Sequence, residues 1–416
     1  MAKRASTHAP SKAARTRGAS GLAGAGADSA APASGGDPVF IARARAALDG
    51  SIIGHARQVE ALSVAGASGT MHHAWLFHGP SGVGKCTVAM RFAALLADPE
   101  SSQGDWLAFA PRRDGECARF MRLGTHPDIR LIRKELAATS VDAALRDRKQ
   151  LNLPVGLLRE HIVGGTTSDG KHLDSPAFRT SWLGGGKVFI IDESELMDAE
   201  GQNALLKVLE EPPPQTWFVL VASHADRLLP TIRSRCQLLG FGSLSPAEMS
   251  QWAGRELADS PAEERQWALQ FASGSPGAAR AALDDGLHAW WTMLEPHVKR
   301  LAAGTFPSGA AEAMADLIGE YAEAAVKRDP RASKEAANRR ALSTVLHMLA
   351  EEARSAMRRS GLSSEELERW ARVPGVLADT EDAVDSNVNL KHSLAYLVSQ
   401  WMAAFDGVRQ SQGTTA

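Results

Sequence analysis

Trp75-Leu-Phe-His-Gly79-Pro-Ser-Gly82-Val-Gly84-Lys85-Cys86-Thr87 runs from an apolar triplet through a glycine-rich loop into a helical stretch, Val88 to Ala97. This is G-x-x-x-x-G-K in the strand–loop–helix context that the motif requires. Glycines at 79, 82 and 84 let backbone N–H groups curl around phosphates. Lys85 meets the outer phosphates, and the helix N-terminus adds its dipole. A P-loop nucleotide-binding domain is therefore predicted. One position departs from the motif. Cys86 stands where a Ser or Thr hydroxyl ligates Mg²⁺, a hard ion that prefers oxygen. Thr87 follows, but one residue turns a helix by about 100°, which aims its hydroxyl elsewhere.

Working outward, four more short apolar runs read as strands: Ile129–Ile132, Val188–Ile191, Phe218–Ala222 and Gln237–Phe241, beside Trp75–Phe77. More than ten residues separate each from the next, which favours crossover connections and a parallel α/β sheet. Lys134 to Gly186 reads as a helix plus a long loop. Lys187-Val-Phe-Ile-Ile-Asp192-Glu193 is an apolar strand ending in two acids. Beside a P-loop this is a Walker B motif. Asp192 is the metal-holding acid, and Glu193 is placed to polarise an attacking water. The competing reading is a buried strand whose acids cap the next helix.

After Phe241 the pattern turns helical. Ser245-Pro-Ala-Glu248 and Ser260-Pro-Ala-Glu263 both read as capping boxes with proline at the first helical position. Leu342, Val345, Leu346 and Leu349 share one helical face, as do Leu390, Leu394, Leu397 and Trp401, and both stripes read as bundle core. The predicted organisation is a disordered basic tail (1–37), a P-loop domain (38–242), a small helical lid (243–288), a C-terminal helical collar (289–408) and a disordered end (409–416).

Composition fits a globular chain. Of 416 residues, 44% are hydrophobic and 23% charged, with a net charge of −2, so the chain is neither a collagen-like rod nor a wholly disordered polymer. The tail carries Lys3, Arg4, Lys12, Arg15 and Arg17 against Asp28 and Asp37, a net +3, which leaves −5 on the remainder. A DNA-binding role through that tail is the weakest of the readings. The tail has no apolar core of a secretory signal, although an organelle transit peptide has a similar composition. Cys86, Cys117 and Cys236 form no CxxC pair, which argues against disulfides and against a four-thiolate zinc site and points to a reducing cytoplasm. Cys117 and His126 are too few to hold zinc, so none is expected.

Several segments share an order with a known family. Ile52-Ile-Gly54 and His73-Ala-Trp-Leu-Phe77 precede the P-loop, and Thr125-His-Pro-Asp128 lies between the two Walker motifs. Asn203-Ala-Leu-Leu-Lys207-Val-Leu-Glu-Glu-Pro212-Pro213 and Leu229-Pro-Thr-Ile-Arg-Ser234-Arg235-Cys236 follow. From about Gly50 to Arg280 the chain resembles the AAA+ clamp-loader subunits of bacterial DNA polymerase III. The resemblance implies a five-stranded parallel sheet with helices on both faces, a lid and an all-α collar. It also implies that Arg235 is an arginine finger acting on a neighbouring subunit, with Arg233 as a second candidate. Ser223 resembles the sensor position that contacts nucleotide.

Two branches of the family compete: the ATP-hydrolysing gamma/tau motor and the delta-prime stator. Cys86, the glycine at Gly277 where the motor carries a sensor arginine, and Ser386-Asn-Val-Asn-Leu-Lys391 resemble the delta-prime branch. The intact Asp192-Glu193 pair resembles the motor. The delta-prime reading implies weak or no intrinsic ATPase activity, in a subunit of a nucleotidyltransferase holoenzyme that is not itself the polymerase. ATP fits the loop, while Cys86 argues against Mg²⁺. Implied partners are the gamma/tau and delta subunits and, through the assembly, the sliding clamp and primed DNA in a cytoplasmic bacterial replisome, with no membrane.

Overall fold

The computed structural model describes residues 36–147, 151–328, 333–359, 361–386 and 388–411. The basic residues of the tail and the final residues of the predicted disordered end lie outside this range. Asp37, grouped with the tail by composition, belongs to the folded part. Its Oδ1 accepts the Val39 N–H at 3.0 Å and pairs with Arg133 at 2.6 Å. It is the N-cap of helix α1, Pro38–Asp49, with proline at the first position.

Five strands form one parallel sheet: β1 Ala74–His78, β2 Ile129–Ile132, β3 Lys187–Ile191, β4 Thr216–Ala222 and β5 Gln237–Gly240, in the order β2-β3-β4-β1-β5. Leu76 of β1 pairs with Leu220 of β4 and with Leu238 of β5, while Ile190 of β3 pairs with Leu131 of β2. The predicted strands stand, with ends shifted by one or two residues. Their continuous apolar character follows from burial on both faces. Trp75, Phe77, Val188, Ile190, Val219 and Val221 point into one layer, with α1 and helix α3 (Lys85–Ala97). Leu76, Phe189, Ile191, Phe218 and Leu220 point into the other, against helix Ala199–Glu210. This is the α/β architecture with helices on both faces that the sequence implied.

The connection after β2 differs from expectation. It holds no single helix. Short pieces replace it: a 3₁₀ turn Lys134–Thr139, helical turns at Ala143–Arg146 and Val155–Leu158, a π-turn Arg159–Val163 and a hairpin pairing Gly165–Thr166 with His172–Leu173. Buried Lys187 ties this segment down by donating to the carbonyls of Ala177 and Arg179. Thr125-His-Pro-Asp128 is a structural staple at the entry to β2. The buried His126 accepts two amides on Nδ1, from Asp128 at 3.1 Å and Ile129 at 3.0 Å. The Asp128 carboxylate accepts the Trp182 and Leu183 N–H groups at 2.8 and 2.9 Å.

Beyond Phe241 the chain is helical. Ser245 forms the predicted capping box with Glu248. Ser260 does not. The next helix, Ala262–Phe271, starts later, with Pro261 at its N-cap and no side-chain cap. Long helices from Leu287 to Ser411 enclose a separate core that contains Leu342, Val345, Leu349, Leu394, Leu397 and Trp401. Both predicted stripes face it, and Leu390 packs at its edge.

Candidate functional site

The sheet order decides the site. β4 lies between β1 and β3, so the carboxyl ends of these three parallel strands meet at one edge. There the loop after β1, the acids after β3 and Ser223 after β4 line one cleft. The loop is shaped by glycines in the left-handed region. Gly79 has φ +137°, and a Cβ there would sit 2.0 Å from the Phe241 carbonyl oxygen. His55, in the turn before helix α2 (Ala56–Ala67), braces the loop through Nε2 and the Val83 carbonyl at 2.8 Å. Helix α3 starts at Lys85 on a Gly84 N-cap without a side-chain acceptor. Its first N–H groups are thus presented by backbone alone.

Lys85 is 5% exposed. Its Nζ donates to the Gly79 and Pro80 carbonyls, both at 2.6 Å. Burial lowers its pKa, and the charges of Glu195 and Asp192 oppose that fall. Cys86 follows on α3. Burial pushes its thiol up to about 12, with Asp192 adding to the shift. At neutral pH it is therefore a neutral thiol. Thr87 lines the same cleft.

The Walker B acids do not stand free. Asp192, 9% exposed, pairs with Arg43 of α1, Nη1 to Oδ2 at 2.8 Å. Cys86 lines the same cleft as this guanidinium. Burial works against the Arg43 charge, but Cys86 and Asp192 more than offset it and raise its pKa. Glu193 takes a left-handed backbone, φ +50°, and pairs with Lys134 at 2.8 Å. A third acid, Glu195, follows two residues on and is partly buried. Its Oε1 accepts the Ser223 N–H at 2.8 Å, while Oε2 is buried with no partner among the described residues. Mg²⁺ is a poor fit to this arrangement. The hydroxyl ligand is a neutral thiol, and Asp192 is already neutralised by a guanidinium.

The helical segment after Phe241 reaches this loop directly. Gly277 N–H donates to the Gly82 carbonyl at 2.8 Å, and Ser275 Oγ donates to the Ser81 carbonyl at 2.9 Å. Gly277 is the position where the family resemblance places a motor's arginine. Arg280, one turn further on, lines the cleft and donates to the Glu256 carbonyl at 2.6 Å.

Arg235 lies away from the residues that line this cleft. Its Nη2 pairs with Glu210 at 2.7 Å, and its Nη1 donates to the Thr231 carbonyl at 2.9 Å. Glu210 lies within the Asn203–Pro213 segment of the sequence resemblance, so the two motifs meet here. A half-exposed pair of this kind is worth about 0–1 kcal/mol and holds the guanidinium only loosely. Arg233 has a buried Nε with no partner among the described residues.

The structure thus brings Gly82, Gly84, Lys85, Cys86, Thr87, Asp192, Glu193 and Ser223 to one cleft, with Gly79 at the loop's base, and sets Arg235 apart. The sequence reading missed Arg43, Lys134 and Glu195. Glu195 stands two residues past Glu193 and had a weak signal. Arg43 and Lys134 had none, because their partners are distant in the chain. Among the described residues no cluster of three or more His, Cys, Asp or Glu forms a metal site. No helix among them is long and apolar enough to cross a membrane.

Comparison with known proteins is consistent with this geometry. Residues 54–245 match the family model described as DNA polymerase III, delta subunit. DNA polymerase III subunit delta' of Pseudomonas aeruginosa is 31% identical over 232 residues, covering 55% of this chain and 61% of that protein. The delta' subunit of Escherichia coli is 31% identical over 218 residues, covering 51% and 55%. The gamma/tau subunit of Mycobacterium tuberculosis (strain ATCC 25618 / H37Rv) is 30% identical over 205 residues, covering 49% and 30%. The chain therefore spans about half the length of the delta' relatives it matches.

Proposed function

We propose that this delta-prime-like chain is the stator of a DNA polymerase III clamp loader, completing a neighbouring subunit's ATP site with Arg235. One observation carries the reading: Arg235 is not among the residues that line its own chain's cleft, and its guanidinium is held by a half-exposed pair with Glu210 and one bond to the Thr231 carbonyl. A guanidinium held this way can exchange Glu210 for a neighbour's γ-phosphate, where its fixed charge and planar fork stabilise charge developing in phosphoryl transfer. Arg233, beside it, is the second candidate. The helices from Leu287 onward form the collar that joins subunits, in the division into tail, P-loop domain, lid and collar drawn from the sequence. The partners are gamma/tau and delta subunits and, through the assembly, the sliding clamp and primed DNA, in the bacterial cytoplasm.

In its own cleft, Gly79, Gly82, Gly84 and Lys85 would cradle the phosphates of ATP, with Ser223 at the sensor position. Cys86 and the pairing of Asp192 and Glu193 with Arg43 and Lys134 argue against magnesium-dependent turnover, so intrinsic ATPase activity is weak or absent. The test is the DNA-stimulated ATPase of the assembled complex. Arg235→Ala is expected to lower it at least tenfold, from the size of arginine-finger effects. An unchanged rate would remove the stator reading. The intact Lys85, Asp192 and Glu193 keep a gamma-like motor as the alternative, favoured if the purified chain hydrolyses ATP and Lys85→Ala abolishes turnover.

A further inference from the structure

The unexpected residue in the cleft is Arg43. It lies before both Walker motifs, yet its guanidinium reaches Asp192 at 2.8 Å, in the cleft that Cys86 also lines. These are the two positions that would share a magnesium ion in a P-loop enzyme. We propose that Arg43 stands in the place of that ion, making the cleft a metal-independent site for a nucleoside triphosphate. The inference does not depend on the role of Arg235.

Three features support it. First, the arginine is held by a rigid element. Helix α1 buries Phe40, Ala44, Ala47 and Leu48 in the same core as α3. Arg91 of α3 clamps its end by donating to the Ala47 carbonyl at 2.6 Å and to the Gly50 carbonyl. Asp37 caps its start and pairs with Arg133 at 2.6 Å.

Second, the guanidinium has donors to spare. It carries five N–H groups, and the pair with Asp192 does not use them all. Its side chain is 35% exposed and lines the cleft beside Gly82, Gly84 and Lys85. Phosphate oxygens on the loop would meet two fixed cations, Lys85 and Arg43, together with the N-terminus of α3.

Third, a divalent ion gains little here. To reach Asp192 it must displace a guanidinium, and its second ligand would be sulfur, a soft atom where a hard ion prefers oxygen. Arginine supplies positive charge and directed donors without needing a hard oxygen ligand. No hydrolytic step is assigned to this cleft. The inference concerns binding alone.

The test is equilibrium binding of ATP to the full chain, by calorimetry, in excess Mg²⁺ and in excess EDTA. Equal or tighter binding in EDTA is expected. Binding that requires Mg²⁺, or no binding in either buffer, overturns the proposal. Arg43→Ala should weaken ATP binding in EDTA by about tenfold to a hundredfold, the range for a charged hydrogen bond. Arg43→Lys, which keeps a point charge and conserves the fold, should lose less. The double variant Arg43→Ala, Cys86→Thr should bind ATP more tightly with Mg²⁺ than without. Circular dichroism confirms that each variant is folded. If folded Arg43→Ala binds ATP in EDTA as tightly as the parent chain, the arginine has no such role.

Discussion

Gly277→Ala tests the contact between lid and phosphate loop by the sign of its effect. Gly277 is the second residue of a helix, Pro276–Asp284. In an uncrowded helix, alanine for glycine stabilises by up to about 1 kcal/mol. Here the added Cβ would lie 2.8 Å from Gly82 Cα and 3.1 Å from the Gly82 oxygen, both backbone atoms. The helix end must retreat, stretching the 2.8 Å bond from Gly277 N–H to the Gly82 carbonyl. A lost hydrogen bond costs about 1 kcal/mol, and overpacking a tight contact costs about 1–3 kcal/mol. The balance is a net destabilisation of about 1–3 kcal/mol once the propensity gain is subtracted. Urea unfolding reads the sum as a lower midpoint. Amide exchange locates it, with faster exchange expected in the peptides around Gly82 and Ser275 and none in the distant C-terminal helices. A raised midpoint with unchanged exchange around Gly82 would refute the argument, because it would mean that the lid does not rest on the loop.

Two further outcomes follow from titrating groups. His126 has its pKa pushed down from 6.5 to about 4 by burial, and its Nδ1 is committed to two amides. Between those values the unfolded chain binds a proton that the folded chain excludes. Stability from this group is thus complete above pH 6.5 and lost as pH falls toward 4, by about 3 kcal/mol in total. Urea midpoints from pH 7 to 4.5 should fall less steeply for His126→Asn, and equal slopes would contradict the assignment. Burial pushes the thiols of Cys86, Cys117 and Cys236 up to about 12. Iodoacetamide at pH 8 should leave the native protein unmodified and label all three in urea, as read by intact mass. Rapid native labelling of Cys86 would show that its sulfur is not held as described.

The sheet was readable because its strands are buried on both faces and so stay apolar along their length, as in Val188–Ile191 and Phe218–Ala222. The phosphate loop and the Asp192-Glu193 pair were readable because their chemistry is local in sequence. The stretch from Lys134 to Gly186 resisted, because its turns are fixed by tertiary anchors such as Lys187 on the Ala177 and Arg179 carbonyls rather than by periodicity. Ser260 misled for a related reason. The capping pattern is present, but the helix begins one residue later, behind Pro261. Arg43 and Lys134 were invisible, since nothing near either residue in sequence records its acidic partner.

Helix α1 has a consequence for where this protein can be cut. The match to the DNA polymerase III family model starts at residue 54, after α1 has ended. A fragment trimmed to that boundary would keep the phosphate loop, both acids and Cys86 while losing Arg43, the guanidinium that holds Asp192. It would also bare the side of α3 that Phe40 and Leu48 cover. Nucleotide or metal binding measured on such a fragment would describe a site with one fewer positive charge and an unpaired aspartate, which the intact chain never presents.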